Sequence, residues 1–299
     1  MTSRRHIAVL LHEKDRAQPE HGYIVHHLAQ YWREWGHTVR FIYGVSHFES
    51  ADLLFMHVDL SVVPNDYLEF ASRYPSTINA GVVDIRKSRI STNIVAADEG
   101  WRGPVIVKSD LNCAGMPELM RGRSGLVARW PFVRRLHSAI ERVLGTTSPF
   151  GSAEDYEIYD DLSLVPPSRA SDRRLVIERF LPELEDGLYY TRVYQFLGNR
   201  SICLRMGSRS PIVKAHNSVS VERVEPHPQV AEWRKRLNID YGKLDYVVTN
   251  GQPVLLDANK TIGASPSGMN QLISSDQVQA NRRTLAEGIH AYLCPGLVT

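Results

Sequence analysis

The sequence has few cysteines, and those that it has are far apart. Cys113, Cys203 and Cys294 form no C-x-x-C pair, so neither a disulfide framework nor a thiolate zinc site is expected. A chain with so little cysteine chemistry suits a reducing compartment. We therefore expect a cytoplasmic protein.

Charge of either sign is not in excess, and long apolar runs are absent. The 299 residues include 35 basic and 33 acidic side chains, a formal net charge of +2. Nucleic-acid-binding proteins normally have a basic excess, so no nucleic-acid partner is expected. The longest early apolar run, residues 7–11, is too short for a signal sequence or a membrane span. No membrane association is expected either.

The first eighty residues alternate between strand and helix patterns. Residues 7–11 are typical of a buried strand, and apolar residues at four-residue spacing predict a helix over residues 20–35. Further strands are predicted at residues 38–43 and 52–58. This order predicts an open parallel α/β layer, where ligands bind beyond the carboxyl ends of the strands. No G-x-G-x-x-G motif follows the first strand, which disfavours a nicotinamide-dependent Rossmann enzyme.

Polar residues follow these strands at the edge where a ligand would bind. His12 comes directly after the first predicted strand, and His57 and Asp59 end the third. We take His12 as a candidate substrate-binding residue, with a structural role as the alternative. Residues 128–144 predict a basic amphipathic helix, which is either a solvated face or a docking surface for an acidic substrate or a carrier.

The last third of the chain is rich in strand patterns. Strands are predicted at residues 175–180, 190–197, 201–206, 244–248 and 253–257. Asn250-Gly251 between the last two is a strong hairpin signal. If those strands pair, Asp245 lies on the strand beside Asp257.

Two carboxylates and an amide flank this turn. Asp257 and Asn259 are two residues apart, so they point to the same face of their strand. Carboxylate and amide oxygens suit Mg²⁺, which also keeps coordination positions for substrate phosphates. On spacing alone, a polar hairpin face without a metal is the alternative.

Two other segments have features of a nucleotide site. Lys108 ends an apolar strand and leads into a loop of small and polar residues, 109–115. A cation followed by accessible backbone N–H groups can bind phosphates. Residues 176–183 form an apolar strand that turns at Leu181-Pro182, where backbone groups could contact a purine edge.

In this order the segments resemble the ATP-grasp superfamily of glutathione synthetase-like carboxylate–amine ligases. The similar segments, covering most of residues 79–265, are PVIVKSDLNCAG, LVIERFLPE, YYTRVYQFLGNRSICLRMGS, YGKLDYVV and PVLLDANKTIG. The resemblance implies an ATP-grasp fold of the α/β (α+β) class. A small N-terminal open α/β domain (residues 1–78) would precede two α+β subdomains, 79–175 and 176–299, that clamp ATP.

The resemblance also implies a role for each matching residue. The implied ATP-binding residues are Lys108 for the phosphates, Glu178, Arg179, Phe180 and Leu181 for adenine, and Glu183 or Glu185 for the ribose. The implied metal ligands are Asp245, Asp257 and Asn259. The implied catalytic residues are Arg192, Arg205 and Lys243, and Lys214 and Asn217 join His12 as substrate-binding candidates.

Two positions depart from the pattern of the superfamily. The segment expected to cover the phosphates has Gly115 alone where many relatives have several glycines, and it includes the acidic Asp110. Asp257 stands where glutamate is more common, which shortens one ligand arm but leaves a competent oxygen donor.

The implied function is ATP-dependent ligation that forms a C–N bond and releases ADP. The implied cofactors are ATP and Mg²⁺, with Mn²⁺ as an alternative metal, and the expected partner is a small-molecule or peptide substrate. The sequence leaves open a homodimer, an ATP-grasp kinase that phosphorylates an alcohol, and a non-catalytic nucleotide-binding module.

Overall fold

The computed structural model describes residues 4–17, 22–96, 100–122, 149–264 and 272–293. The chain forms two units, and the first is assembled from three segments, Met1–Asp59, Val63–Val83 and Pro182–Thr299. The second unit consists of Leu60–Val62 and Asp84–Leu181. The basic helix expected at residues 128–144 lies outside the described residues.

A four-stranded parallel sheet opens the first unit. Its strands are β1 (His6–Leu11), β2 (Thr38–Tyr43), β3 (Leu53–His57) and β4 (Thr77–Ile78), in the order β2-β1-β3-β4. Helix α1 (Ile24–Glu34) connects β1 to β2, and α2 (Asn65–Ala71) connects β3 to β4. The predicted open α/β layer is confirmed.

The second unit contains a three-stranded antiparallel sheet. Its strands are β5 (Val105–Ser109), β6 (Glu157–Tyr159) and β7 (Leu175–Arg179), with β5 in the centre. Among the described residues of this unit, the helices are short, namely α3 (Lys87–Ile90), α4 (Met116–Gly122) and α5 (Pro167–Ala170). Apolar side chains of β5 pack with Phe150 and Val165 to form its core.

A larger antiparallel sheet completes the first unit. Its strands are β8 (Glu183–Glu185), β9 (Leu188–Leu197), β10 (Arg200–Ser208), β11 (Ser218–Arg223), β12 (Tyr241–Thr249) and β13 (Gln252–Asn259). The order is β11-β10-β9-β12-β13, and β8 also pairs with β9. Helices α6 (Gln229–Arg236), α7 (Ser275–Glu287) and α8 (His290–Leu293) accompany this sheet.

One apolar core joins the two sheets of the first unit. It contains β1 and β3 side chains, Trp32 of α1, Tyr241 of β12 and Leu285 of α7. Asn79, fully buried after β4, adds polar links, because its side chain accepts the Tyr241 amide at 3.0 Å and donates to the Tyr241 carbonyl at 2.7 Å. Among the described helices, none is long and apolar enough to cross a membrane.

Candidate active site

The β12–β13 hairpin brings the proposed metal ligands together. Asn250 and Gly251 have φ values of 51° and 73°, as a tight two-residue turn requires. Asp245 pairs directly with Asp257, and Lys243 pairs with Asn259. Residues opposite each other on antiparallel strands share a face, so all four side chains lie on one face, which we call the Asp245 face.

The contacts on the Asp245 face fit a divalent cation. Lys243 Nζ lies 2.5 Å from Asp245 Oδ2, while Asp245 Oδ1 is buried and accepts no hydrogen bond. Asp257 Oδ1 accepts the Ala258 amide at 3.1 Å, and Asn259 is buried. These are the hard oxygen donors that Mg²⁺ prefers, and the buried Oδ1 atom is a natural ligand.

A cluster of three acidic side chains is not needed for such a site. In the described part of the chain, no group of three or more histidine, cysteine, aspartate or glutamate side chains is placed to hold a metal ion. A cation on the Asp245 face would therefore bind two carboxylates and one amide, with substrate oxygens completing its shell.

The two arginines expected at the catalytic centre lie on the opposite face of the sheet. Tyr246, the neighbour of Asp245, pairs with Arg192, and Arg192 pairs with Arg205. Because consecutive strand residues alternate between faces, Arg192 and Arg205 point away from the Asp245 face. We call their side the Arg192 face.

Carboxylates surround these arginines on the Arg192 face. Glu183 accepts Arg192 Nη2 at 2.9 Å and Arg205 Nε at 2.8 Å. Arg205 also bonds Glu185 and, at 3.0 Å, Glu222. The guanidinium carbon of Arg205 lies 3.6 Å from the centre of the Tyr190 ring. The guanidinium is thus fixed by protein groups.

Burial and hydrogen bonding act in opposite directions on this cluster. Burial alone would raise the pKa of Glu183, but hydrogen bonds from Arg192, the Val248 amide and Arg205 outweigh it and hold that pKa below its ordinary value. Burial would lower the pKa of Arg205, and its three carboxylate partners raise it instead. Both groups are therefore charged. Since the oxygens of Glu183 are occupied, the more exposed Glu185 is the better candidate for a ribose.

In the second unit, Lys108 and Glu178 form a buried ion pair. They are 6% and 1% exposed, and Lys108 Nζ lies 2.5 Å from Glu178 Oε2. They come from the neighbouring strands β5 and β7. The Glu178 side chain thus holds the lysine expected to contact phosphates, and its other oxygen, Oε1, is buried without a hydrogen bond.

The backbone expected to bind adenine is partly engaged within the same unit. The Arg179 amide donates to the Asn93 carbonyl at 3.0 Å, and the Phe180 amide donates to the Pro104 carbonyl at 2.8 Å. The Arg179 carbonyl accepts Asn93 Nδ2 at 2.7 Å. These hydrogen bonds stabilise the end of β7. Leu181, the last residue of the segment expected to bind adenine, comes directly after them.

The loop after β5 has an unusual backbone. Cys113, Ala114 and Gly115 have φ values of 47°, 56° and 74°, and such a conformation is costly at the two positions that are not glycine. Asp110 does not face this turn, because its oxygens accept the Ser88 amide at 2.7 Å and the Ser88 hydroxyl at 2.9 Å. Its role is therefore to bind the start of α3.

The remaining substrate-binding candidates have local contacts. Asn217 Oδ1 accepts the Lys214 amide at 2.8 Å, and Asn217 Nδ2 donates to the Ile212 carbonyl at 2.9 Å, so this amide shapes the loop before β11. His12 stacks on Tyr67 with ring centres 5.8 Å apart. Its Nδ1 accepts the Lys14 amide at 3.2 Å.

Comparison with known proteins gives structural likeness but no sequence match. No family model and no curated protein matches the chain. The D-alanine–D-alanine ligase of Bacillus anthracis has a similar structure, with a TM-score of 0.50, 12% identity and coverage of 98% of each chain. The chain has the ATP-grasp fold. At this identity the likeness establishes the fold alone.

Two further structures are similar over nearly their whole length. A RimK domain ATP-grasp protein from Sphaerobacter thermophilus has a TM-score of 0.49 and 11% identity, covering 95% of this chain and 99% of its own. The macrocyclase MdnB from Microcystis aeruginosa has a TM-score of 0.44 and 11% identity, covering 94% and 99%.

The ATP-grasp fold brings some predicted site residues together and separates others. Lys243 and the three metal candidates share one face, whereas the expected catalytic pair Arg192 and Arg205 lies on the other. The sequence analysis assigned no specific role to Glu222 or Asp59. The position of Asp59 after β3 places it at the edge of the sheet where a ligand would bind, whereas no local sequence pattern distinguishes Glu222.

Proposed function

We propose that this ATP-grasp chain is an ATP- and Mg²⁺-dependent ligase that activates a carboxylate as an acyl phosphate and joins it to an amine. The observation that carries the proposal is the Asp245 face, where two carboxylates, an amide and a lysine converge within one hairpin. A carboxylate cannot expel oxide, so its oxygen must first take the γ-phosphoryl group of ATP, which forms an acyl phosphate (a mixed anhydride) and releases ADP. Attack by the amine on the acyl carbon then expels inorganic phosphate.

The chain's own residues would position the reacting groups and neutralise their negative charge. Phosphoryl transfer depends mainly on positioning and on cations near the transferring group. In this proposal Asp245, Asp257 and Asn259 hold Mg²⁺, which neutralises phosphate charge when bound. Lys243, fixed against Asp245 at 2.5 Å, lies on the same face and supplies a protein cation there. Arg192 and Arg205 are not proposed as catalytic, because they lie on the opposite face of the sheet from Asp245 and are bound to carboxylates of the protein.

Lys108 and β7 would bind the nucleotide in the second unit. An ammonium group has three donors, and the bond to Glu178 uses one of them. We propose that Lys108 directs another donor to the ATP phosphates. The substrate class that we favour is an amino acid or small peptide, which the name of the D-alanine–D-alanine ligase also supports.

The test is an ADP-release assay across amino acids and dipeptides, repeated with hydroxylamine as a trapping amine. We expect ADP with the true carboxylate substrate, and a hydroxamate when hydroxylamine is present, because an acyl phosphate reacts with it. Heat-treated protein is the control.

Other products would contradict the proposal in distinguishable ways. A stable phosphoester that resists hydroxylamine would replace the ligase with a kinase. AMP and pyrophosphate would indicate adenylation and remove both. Absence of nucleotide turnover with every substrate would favour a binding module.

A further inference from the structure

The loop at residues 109–115 begins directly after Lys108 and contains a costly turn. Cys113 (φ 47°, ψ 41°) and Ala114 (φ 56°, ψ 25°) are left-handed, and Gly115 follows with a φ of 74°. Left-handed conformations at residues other than glycine persist only where the surrounding structure enforces them. The contacts made at the two ends of this left-handed turn therefore identify the residues on which the shape of the loop depends.

A three-residue segment, Leu60–Val62, supplies two of these contacts. The chain enters the second unit at this segment and then returns to the first unit. Ser61, at its centre, is 1% exposed, and its carbonyl accepts the Ile85 amide at 2.9 Å. The residue after Ser61 pairs with Asp84 in an antiparallel bridge. The backbone of Ser61 is thus anchored to the start of the longer segment of the second unit.

Ser61 contacts both ends of the left-handed turn. Its Oγ atom accepts the amide of Asn112, which precedes the turn, at 2.8 Å. Its own amide donates to Oε1 of Glu118, which follows the turn in α4, at 2.7 Å. Asn112 is 2% exposed, so water could not easily replace the Ser61 acceptor, and its removal would be costly. One serine therefore fixes the chain on either side of the turn.

Lys87 holds the part of the loop that leads into the turn. It is 2% exposed. Its amide donates to the Asp110 carbonyl at 2.9 Å, and its Nζ atom donates to the Leu111 carbonyl at 3.1 Å. Lys87 thus fixes the path of the chain before the turn, and Ser61 fixes the turn itself. All of these contacts lie within the second unit.

We propose that Ser61, together with Glu118, is a positioning residue that holds the loop 109–115 in the shape that binds the ATP phosphates. The inference rests on the proposed function, in which the nucleotide binds beside Lys108, and it adds the residues that set the loop's shape. Backbone N–H groups bind an anion when they converge on it. Molecules whose loop has another shape do not contribute, so the apparent affinity falls with their fraction.

The test compares two ligands by calorimetry with the full chain. A non-hydrolysable ATP analogue with Mg²⁺ reports the phosphate contacts, whereas adenosine reports base and ribose alone. Ser61→Ala removes the acceptor of the Asn112 amide. We expect it to weaken analogue binding about tenfold, as when about one molecule in ten keeps the binding shape, and to leave adenosine affinity unchanged. A role confined to folding would not distinguish the two ligands.

Hydrogen exchange reads the same loop without any nucleotide. The Asn112 amide is bonded to Ser61, so Ser61→Ala should accelerate exchange in the peptide that contains residues 109–115, measured by mass spectrometry. Glu118→Ala removes the second contact and should weaken analogue binding by a smaller factor. Glu118→Gln keeps an acceptor oxygen for the Ser61 amide and should behave like the wild type.

The matched control removes another serine hydroxyl from the second unit. Ser171 Oγ donates to the Pro167 carbonyl at 2.8 Å, away from the loop, so Ser171→Ala should keep both affinities and the exchange rate of the loop. Equal thermal midpoints would show that each variant is folded. If Ser61→Ala unfolds the chain, the comparison of Glu118→Ala with Glu118→Gln decides the question.

The positioning role and the ligase function fail separately. Unchanged analogue affinity in Ser61→Ala, an equal loss for adenosine, or unchanged exchange of the loop would overturn the positioning role, even if hydroxamate forms. A wild type that binds the analogue no more tightly than adenosine would also overturn it. Phosphate-dependent binding that falls in Ser61→Ala, without hydroxamate from any substrate, would keep the positioning role and overturn the ligase.

Discussion

At the scale of single residues, the strongest expectation concerns Asp257 and Asn259. Each supplies a hard oxygen on the Asp245 face, and Asp257→Asn or Asn259→Ala removes a charge or a ligand. We expect both variants to lose ATP turnover while they keep their far-ultraviolet dichroism. A steady-state ADP assay at saturating Mg²⁺ measures this.

The control for these variants is Asp276→Asn, which changes an acidic residue in the first turn of α7. It should keep wild-type turnover. Mg²⁺-dependent turnover at the normal rate in both hairpin variants would contradict the metal assignment.

A second residue-scale expectation concerns the buried pair of Lys108 and Glu178. Breaking a buried ion pair leaves an uncompensated charge and costs about 3–5 kcal/mol. Lys108→Met should lower the free energy of unfolding by that order, and adding Glu178→Gln should recover most of it. Urea unfolding of the single and double variants measures both changes.

The double variant also separates stability from function. If Lys108 contacts phosphates, the restored double variant still binds ATP about tenfold more weakly. A single variant as stable as the wild type would contradict the buried pair.

Residue types could be read from the sequence more easily than residue partners. Asp245, Asp257 and Asn259 were predicted from chemistry and i,i+2 spacing, which the hairpin register reproduces. The three-carboxylate environment of Arg205 was not predicted. Its partners come from β8 and β11, and no local spacing links these strands to β10.

At the scale of elements, pairing register decides which side chains share a face. A strand pattern predicts two faces but not how neighbouring strands align, and a one-residue difference moves a side chain to the other face. Arg192 pairs with Tyr246 rather than with Asp245. This single offset separates the arginines from the metal candidates.

Several short elements were missed by the sequence patterns. Strand β4 has two residues and β8 has three, too few for a period-two pattern to stand out. Helix α6 buries only Val230 and Trp233, so its apolar repeat is weak. The long strands β9 and β12 were predicted, although both begin two to three residues earlier than expected.

The turn between α1 and β2 should make stability depend on pH. Burial, followed by the charges of His290 and Arg5, lowers the pKa of His37 below 6.5. His37 Nδ1 accepts the Arg5 amide at 3.3 Å. Below about pH 6.5 the unfolded chain binds a proton that the folded chain does not, so stability falls as pH decreases.

The measurement compares thermal midpoints between pH 5 and pH 7. Asparagine places an acceptor oxygen close to the position of His Nδ1 but does not titrate in this range, so His37→Asn should show a shallower decline than the wild type. Identical pH profiles would mean that His37 does not contribute.

At the scale of the whole molecule, the order of segments predicted the fold better than any one segment did. Each similar segment is weakly specific, but five in the expected order implied the ATP-grasp fold that structural comparison supports. The two units of the structure could not be predicted in detail, because the first is assembled from three separate stretches of chain.

The last expectation is that Mg²⁺ and ATP together stabilise the whole chain. A ligand that binds only the folded state adds RT ln(1 + [L]/Kd), about 2.7 kcal/mol at one hundred times Kd. For a protein of this size that corresponds to a rise of several degrees in thermal midpoint, on the order of 2–4 °C per kcal/mol. A non-hydrolysable ATP analogue with Mg²⁺ should therefore raise the midpoint, and the analogue with EDTA should raise it less. Asp257→Asn should remove the difference between these two conditions, because that difference reports the cation bound on the Asp245 face. An equal rise with Mg²⁺ and with EDTA in the wild type would mean that the nucleotide binds without a cation, and the hairpin oxygens would then need another role.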